Sequence, residues 1–271
     1  MISLKMNSKG EYANALGIRV RASSFYSPDS EKLFKLSRGR FADFLSCPRC
    51  FYLDRVKGLE SPTTPPWSLN SNTDRLLKKE FDICREAQVP HRLFANNGLE
   101  HVVPFAHDEM DTWRNSFSGL KYQLPGTNLL LHGGVDDIWQ DTITGQLIVV
   151  DYKSQCTANP VIPDHYFNAT YRWGYQVQMD FYGYLLTKMG FNVAPVSYFL
   201  VVNADQNAPS FEGKMLFDEV LVPYKWQYEW LEPKLFEMVE TLNGESLPAS
   251  NSACENCAYS RERAIMEKGL G

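Results

Sequence analysis

Two acidic residues and one lysine within a short stretch give the clearest indication of chemistry. The stretch 133–153 consists of two apolar runs joined by a loop at 141–145, which has the length and the glycine of a β-hairpin connection. Asp136 lies in the first run, and Asp151 and Lys153 lie at the end of the second. Side chains alternate along a strand, so Asp151 and Lys153 should share one face, where charged groups are costly to bury unless they are used.

This combination is what metal-dependent hydrolysis of a phosphodiester requires. Two carboxylates can hold Mg²⁺ or Mn²⁺, because hard cations prefer oxygen ligands. The metal would polarise the phosphate and lower the pKa of water, and Lys153 would orient that water or offset developing charge. Asp137 is an alternative to Asp136, but neighbouring strand residues face opposite sides, so we expect only one of them to point into the site.

Two Cys-x-x-Cys pairs lie near opposite ends of the chain. They are Cys47 with Cys50 and Cys254 with Cys257. Each spacing suits two thiolates on one metal ion or cluster. The alternative interpretation is that Cys47 packs in the interior and the other three are incidental.

The composition is that of an ordinary globular protein and argues against a membrane-spanning or secreted protein. The chain has 271 residues, of which 44% are hydrophobic, and no apolar run reaches the length of a membrane span. The N-terminus lacks the apolar core of a signal peptide, so we expect a cytoplasmic protein without membrane contact. In that compartment cysteines are ligands or buried residues more often than disulfide partners.

The net charge of −5 is unevenly distributed. Residues 1–60 contain eleven basic and six acidic residues, a net charge of +5, so the remainder carries −10. A basic N-terminal part could line the path of a phosphate backbone. A solvated surface is an equally good interpretation.

The elements that must position these residues follow from the hydrophobic pattern. Helical and strand-like segments alternate, which indicates an α/β protein with a mixed β-sheet flanked by helices. Pro223 is predicted to begin a helix, because the first turn suits proline. The pattern predicts helices over 38–45, 49–56, 72–87, 113–120, 168–189 and 223–242, and strands over 128–139, 146–153, 196–203 and 211–222.

These motifs resemble those of the PD-(D/E)XK nuclease superfamily, and within it the RecB-like exonucleases. The resemblance covers roughly residues 36–260. The segment 47–52 is similar to the family's Cys-Pro-x-x-Phe-Tyr, which follows its opening helix. The other matches are Gly-x-x-Asp ending at Asp136, Asp-x-Lys at 151–153, and Gln-x-x-x-Tyr at Gln178 and Tyr182.

The resemblance implies a restriction-endonuclease-like fold and assigns roles in the site. Asp136 and Asp151 would hold the metal together with the main-chain carbonyl of Tyr152. Gln178 and Tyr182, which are four residues apart and so share a helix face, would support the catalytic residues and touch DNA.

The third metal ligand departs from the family pattern. Relatives often carry Gly-x-x-x-His on the helix before the hairpin, with the histidine as a ligand. The corresponding segment here is 70–74, so Asp74 would replace the histidine, and aspartate is a suitable ligand for Mg²⁺. Glu80 is the alternative acid, and either residue can instead be a solvated helix charge.

By the same resemblance, the cysteines would form a structural metal site. AddB-type and CRISPR-associated relatives hold a [4Fe–4S] cluster that fixes the C-terminus to the early helices. Those relatives usually contribute one early and three late cysteines, whereas this chain offers two and two. The resemblance favours the cluster, and the departure leaves Zn²⁺ as the alternative.

The sequence therefore predicts a metal-dependent deoxyribonuclease, an exonuclease of the RecB-like type, with single-stranded DNA among its expected substrates. Resemblance alone points to partners from CRISPR adaptation or recombination repair. The alternatives are a nucleic-acid-binding or assembly subunit that keeps the fold with weak or no catalysis, and a zinc-stapled protein of unrelated function. The predicted organisation is an N-terminal arm or edge strand over 1–35 and one nuclease domain over 36–271, with a helical insert at about 58–125 and a cysteine segment at about 245–260.

Overall fold

A computed structural model describes residues 3–64 and 67–270 of the chain. The first two residues of the predicted arm, residues 65 and 66 of the predicted insert, and residue 271 lie outside the described residues. The chain divides into two compact units, and the predicted domain boundaries stay a prediction. The first unit comprises Met1–Pro66, Gln123–Leu130 and Glu232–Gly271, and the second comprises Trp67–Tyr122 and Leu131–Leu231.

Helices and strands alternate along the described part of the chain. The α-helices are α1 (Arg38–Ser46), α2 (Pro48–Arg55), α3 (Ser68–Ala87), α4 (Met110–Arg114), α5 (Trp173–Lys188), α6 (Leu231–Asn243) and α7 (Glu255–Leu270). The strands are β1 (Phe34–Ser37), β2 (Val102–Pro104), β3 (Leu120–Gln123), β4 (Leu129–Gly133), β5 (Asp137–Asp141), β6 (Leu147–Gln155), β7 (Val196–Ala204) and β8 (Phe217–Lys225). Short 3₁₀ helices span Ala22–Ser24, Ala95–Asn97, Pro163–Asn168 and Thr170–Arg172. Within the described residues, no helix has both the length and the apolar character needed to cross a membrane.

The second unit is built around a five-stranded mixed sheet with the strand order β2-β5-β6-β7-β8. β5 and β6 form an antiparallel hairpin, whereas β6 and β7 run parallel. A parallel pair needs a crossover connection, and α5 lies in that connection. Both α3 and α5 pack against β6. The mixed sheet with flanking helices that the sequence predicts is therefore confirmed.

An aromatic cluster holds α3 on the sheet. Phe81 of α3 stacks on Trp139 of β5 with 5.3 Å between ring centroids, and Phe94 meets Trp139 edge-on at 4.5 Å. All three side chains are fully buried. Large aromatic rings dominate the energy of a core, so this contact fixes the acidic residues of α3 relative to β5 and β6.

The turn between β5 and β6 is stabilised by Asp141. Its carboxylate accepts the backbone N–H groups of Ile143 at 2.8 Å and Thr144 at 2.9 Å, and its carbonyl accepts that of Gly145 at 2.8 Å. Gly145 has a φ of +72°, a left-handed conformation that glycine adopts without strain. Because a turn of defined geometry sets the pairing of a hairpin, this loop fixes the register of β5 against β6.

The strand predicted over 128–139 is interrupted, and this corrects the sequence interpretation. It forms β4 and β5, which are separated by three residues. At Gly134 the chain lies so close to another segment that a Cβ would come within 2.9 Å of the backbone nitrogen of Ser116. The break leaves Asp136 just ahead of a new strand instead of in the middle of an old one.

Two predicted helices were also wrong in extent. The helix predicted over 113–120 ends at Arg114 and begins earlier, at Met110. Pro223 lies inside β8, opposite Tyr198, and α6 begins only at Leu231. Because β8 is at the edge of the sheet, a residue without an N–H is tolerated there.

In the first unit, α1 and α2 meet at Cys47. The backbone N–H of Cys47 donates to the carbonyl of Asp43 at 2.9 Å and ends α1. Cys47 is also the N-cap of α2, and Pro48 occupies the first turn, as proline prefers. The hydroxyl of Tyr52 donates to the carbonyl of Gly244 at 2.9 Å, which attaches α2 to the segment after α6.

Candidate active site and four-cysteine cluster

The hairpin places Asp136 opposite Asp151. In the antiparallel register Asp137 pairs with Val150, so the preceding residue, Asp136, lies across from Asp151 at the open end of the hairpin. One carboxylate oxygen of Asp136 accepts the backbone N–H of Tyr152 at 2.9 Å. The structure thus brings the two acids of the predicted site side by side.

Asp151 is completely buried. One of its carboxylate oxygens accepts the side-chain amide of Gln178, and the other forms an ion pair with Lys153. The pKa of the Asp151 carboxyl is raised, mainly because burial disfavours the charged form; the ammonium of Lys153 opposes this rise and the carboxylate of Asp136 adds to it. A further positive charge at this position would therefore stabilise the charged carboxylate.

Residues of α5 surround Lys153. The Gln178 amide donates to Asp151, and its oxygen accepts the Lys153 ammonium at 3.4 Å. The Tyr182 hydroxyl, one helical turn further on, accepts the Gln178 amide at 3.4 Å. Lys153 also lies 4.5 Å from the ring centroid of Tyr175. Gln178 and Tyr182 are only 7% and 3% exposed, which leaves little of either side chain to touch DNA.

Asp74 on α3 is linked to Asp136 through Lys78, a residue that no motif indicates. The Lys78 ammonium lies 3.0 Å from Asp74 Oδ2 and 3.5 Å from Asp136 Oδ1. The pKa of Asp74 is raised by burial and by the facing charge of Asp136, although Lys78 lowers it. Burial lowers the pKa of Lys78, but the two carboxylates outweigh this and raise it. The i, i+4 spacing of Asp74 and Lys78 is the one sequence signal of this contact.

Glu80, the alternative third acid, has other partners. Its carboxylate accepts a hydrogen bond from Nε of Arg92 at 2.7 Å and lies 2.9 Å from Nε2 of His91. Burial raises the pKa of Glu80, but these two groups lower it further than burial raises it. Of the two candidate acids, Asp74 is the one whose partner also contacts Asp136.

Asp137 faces a cluster of basic residues on the other side of the strand. It is fully buried, and its carboxylate accepts hydrogen bonds from Arg85, from Arg114 at 3.1 Å and from the hydroxyl of Tyr152 at 2.7 Å. Consecutive strand residues point to opposite faces, so Asp136 and Asp137 have separate surroundings. Fixed positive charges already compensate Asp137, whereas Asp136 remains 25% exposed in its side chain.

The four cysteines of the Cys-x-x-Cys pairs lie together in the first unit, as the sequence predicts. The Sγ–Sγ distances are 3.4 Å between Cys50 and Cys257, 3.6 Å between Cys50 and Cys254, and 3.8 Å between Cys47 and Cys257. All four sulfur atoms lie within 4.8 Å of one another. Burial raises the pKa of Cys47, but hydrogen bonds from Cys50, Asn251 and the neighbouring thiols lower it overall, whereas burial raises the pKa of Cys50 and of Cys257. This is a set of soft ligands that can hold a metal.

A comparison with known families decides the class of the protein. The family model of the PD-(D/E)XK nuclease superfamily matches residues 68–261, which is more than half of the chain. The protein belongs to this superfamily. The matched region of this PD-(D/E)XK protein contains Asp74, Asp136, Asp151 and Lys153.

This superfamily member is also similar to solved structures, of which one covers most of this chain. The structure is that of a "Putative exonuclease" from Eubacterium rectale, with 14% sequence identity over 90% of this chain and 94% of that chain, and a TM-score of 0.41. The search of the curated proteins found no match.

PD-(D/E)XK nucleases typically use divalent metal ions, and the oxygen ligands of this site fit such an ion. Asp74, Asp136 and Asp151 are hard ligands, and their mutual repulsion calls for a cation. Among the described residues, these carboxylates are not gathered as tightly as the cysteines, because Lys78 and Lys153 form ion pairs with them. Asp74, Asp136 and Tyr152 line one cleft with a volume of about 350 Å³, whereas Asp151 is fully buried.

Replacing Lys78 with methionine should strengthen Mn²⁺ binding to this PD-(D/E)XK site. The ammonium contacts Asp74 and Asp136, so a divalent ion that binds these carboxylates must displace it. We expect the Kd for Mn²⁺, measured by isothermal titration calorimetry, to fall about tenfold, which corresponds to about 1.4 kcal/mol. Lys79→Met, an exposed lysine on the same helix, is the matched control. Unchanged or weaker binding by the Lys78 variant would contradict this expectation.

Proposed function

We propose that the protein is a metal-dependent deoxyribonuclease of the RecB-like exonuclease type. The observation that carries the proposal is the pairing of Asp136 with Asp151 across the hairpin, with Lys153 bound to Asp151. Mg²⁺ or Mn²⁺ would be held by Asp136 and Asp151, with Asp74 and the carbonyl of Tyr152 as further ligands. Membership of the PD-(D/E)XK superfamily supports the phosphodiester as the bond that is cut.

Each side chain has its own task in the proposed reaction. A bound divalent ion would stabilise charge on the phosphate and lower the pKa of water. Asp136 and Asp151 supply the negative charge that attracts it. Lys153 now forms an ion pair with Asp151; with a divalent ion bound to that carboxylate, its ammonium would orient the attacking water and offset charge on the phosphate. Gln178 keeps Asp151 and Lys153 aligned, because its amide contacts both.

Exposed aromatic rings near the start of α5 support a single-stranded substrate. Tyr171 and Trp173 are 67% and 44% exposed, and they precede Tyr175, whose ring contacts Lys153. Nucleic-acid bases stack on such rings without regard to sequence, and double-stranded DNA does not offer unstacked bases. Partners from CRISPR adaptation or recombination repair belong to this proposal through the family resemblance alone.

One observation favours a second candidate, a nucleic-acid-binding or assembly subunit with weak catalysis. The acid that replaces the family histidine, Asp74, is bound to Lys78. A lysine in this position competes with a metal ion for the same carboxylates. The two candidates differ in whether wild-type protein cleaves DNA at all.

The test uses the full chain with three substrates, each end-labelled or internally labelled: linear single-stranded DNA, linear duplex DNA and covalently closed single-stranded circles. Each is incubated with Mg²⁺, Mn²⁺, Ca²⁺ or EDTA. We expect Mg²⁺ or Mn²⁺ to support stepwise shortening of linear single strands from an end, while circles stay intact. Cut circles would contradict exonuclease action, and cleavage in EDTA would contradict a metal-dependent mechanism. Binding of DNA without cleavage in Mn²⁺ would contradict the nuclease proposal and favour the nucleic-acid-binding or assembly subunit.

A further inference from the structure

The four-cysteine cluster has a geometry that distinguishes between two kinds of metal centre. The relatives that this chain resembles hold a [4Fe–4S] cluster with such cysteines, and a single zinc ion is the other centre that four thiolates commonly bind. The two centres demand different spacings of the sulfur atoms, because one is a single ion and the other is a cube of eight atoms.

A single zinc ion requires closely spaced sulfur atoms. Zinc–sulfur bonds are about 2.3 Å long, so the corners of a tetrahedral site lie about 3.8 Å apart. In a [4Fe–4S] cluster each thiolate binds a different iron at the corner of the cube, which separates the sulfur atoms by about 6 Å. The observed separations of 3.4, 3.6 and 3.8 Å, with all four atoms within 4.8 Å, match the single ion.

The two helices that carry the cysteines present them in the same way. Cys47 is the N-cap of α2 and Cys50 its third residue; Cys254 immediately precedes α7 and Cys257 is its third residue. In each pair the carbonyl of the first cysteine accepts the N–H four residues later, at 3.1 and 3.0 Å. Both helix N-termini therefore face the sulfur atoms, and their positive ends favour thiolates.

The two-and-two arrangement also completes a tetrahedron without further residues. Two Cys-x-x-Cys pairs, each in the first turn of a helix, supply four ligands. Arg263, which stands near the place of a later cysteine in the relatives, is exposed and bonds Glu267 at 2.7 Å. The chain thus has two equivalent Cys-x-x-Cys pairs in place of the one early and three late cysteines of the cluster-binding relatives.

We propose that these four cysteines bind one structural zinc ion and not a [4Fe–4S] cluster. The ion joins the first turns of α2 and α7, which are about two hundred residues apart in sequence (Cys50 and Cys254 are separated by 204 positions). Binding of a metal to a site that the unfolded chain lacks contributes directly to folding, so the ion should stabilise the first unit. This proposal does not depend on the proposed nuclease activity.

The test is metal analysis of full-length protein purified without oxygen and without chelators, from cells supplied with both zinc and iron. We expect one zinc per chain, neither iron nor acid-labile sulfide, and no broad visible absorbance. Replacement by Co²⁺ should give the intense visible bands of tetrahedral thiolate coordination. A preparation with iron and sulfide in equal amounts would overturn the proposal. So would protein that binds neither zinc nor cobalt on reconstitution, or a disulfide within the cluster in the freshly purified chain.

Variants of single cysteines provide the control. Cys257→Ser should lower the zinc content to less than half, whereas Cys84→Ser, which changes a thiol outside the cluster, should leave it at one per chain. A zinc-selective chelator should lower the melting temperature of wild-type protein and of Cys84→Ser. Wild-type protein carries this second measurement, so the proposal is tested even if Cys257→Ser does not fold. Zinc retained in full by Cys257→Ser, with Cys84→Ser losing it, would contradict the assignment of ligands.

Discussion

Replacing Asp151 with asparagine is expected to reduce the rate of DNA cleavage at saturating Mg²⁺ by on the order of a thousandfold. The change removes the charge of a proposed metal ligand while keeping the shape of the side chain and its contact with Gln178. Lys153→Met should have a comparable effect, because it removes the ammonium that orients water in the proposed reaction. The rate is measured under single-turnover conditions with end-labelled DNA, and binding is measured separately by fluorescence anisotropy in Ca²⁺.

Two controls show whether a loss of activity comes from misfolding or from a wrongly assigned residue. Asp151 is buried and its pKa is raised, so its neutral replacement should unfold at the same temperature as wild type or higher. Asp74→Asn should also slow cleavage, whereas Glu80→Gln, the matched acid on the same helix, should stay within about threefold of wild type, since effects of that size are small compared with loss of a ligand. Near-normal cleavage by Asp151→Asn would contradict the proposal that the hairpin forms the active site.

Replacing Asp137 with asparagine is expected to lower the free energy of unfolding of the second unit by about 3 kcal/mol or more. The carboxylate is fully buried and compensates Arg85 and Arg114, whose side chains are only 10% and 8% exposed. Without its negative charge, Asp82 is the one acidic partner that the described residues leave to the two buried guanidinium groups. Urea unfolding followed by far-UV circular dichroism and tryptophan fluorescence measures the change.

Asp136→Asn is the matched control, since it makes the same chemical change one residue earlier. Asp136 is partly exposed, and its removal relieves repulsion of Asp151 and Asp74, so the free energy of unfolding should change by less than about 1 kcal/mol. The pair should therefore separate: Asp136→Asn loses activity and keeps stability, whereas Asp137→Asn loses stability. Equal stabilities of the two variants would show that the arginine cluster does not hold Asp137 in the way described.

The hairpin was predictable because its signals are local. Two apolar runs, the turn residues around Asp141 and the period of two along a strand together determine which acid faces Asp151. The clustering of the cysteines was also predictable, because the matched spacing of the two pairs suggests a shared ligand set. For the hairpin the information lies within a few residues of the site, and for the cysteines it lies in the equal spacing within two distant pairs.

Other features depend on contacts between distant segments, and the pattern of the sequence cannot show them. Lys78 looks like any solvated lysine until α3 is placed on the sheet by Phe81 and Trp139. The break at Gly134 depends on the approach of Ser116. Pro223 fits the first turn of a helix as well as an edge strand, and its position in the sheet decides between them.

The separate surroundings of Asp136 and Asp137 have a consequence for how this protein can evolve. An acid at position 137 is tolerated inside the fold only while positions 85 and 114 supply positive charge. These three positions should therefore change together in descendants of this chain, in steps that pass through less stable intermediates. Position 136 is under a different constraint, since in the proposed function the metal site of the cleft, and not the two arginines, requires an acid there. The two neighbouring aspartates are therefore expected to vary independently of each other.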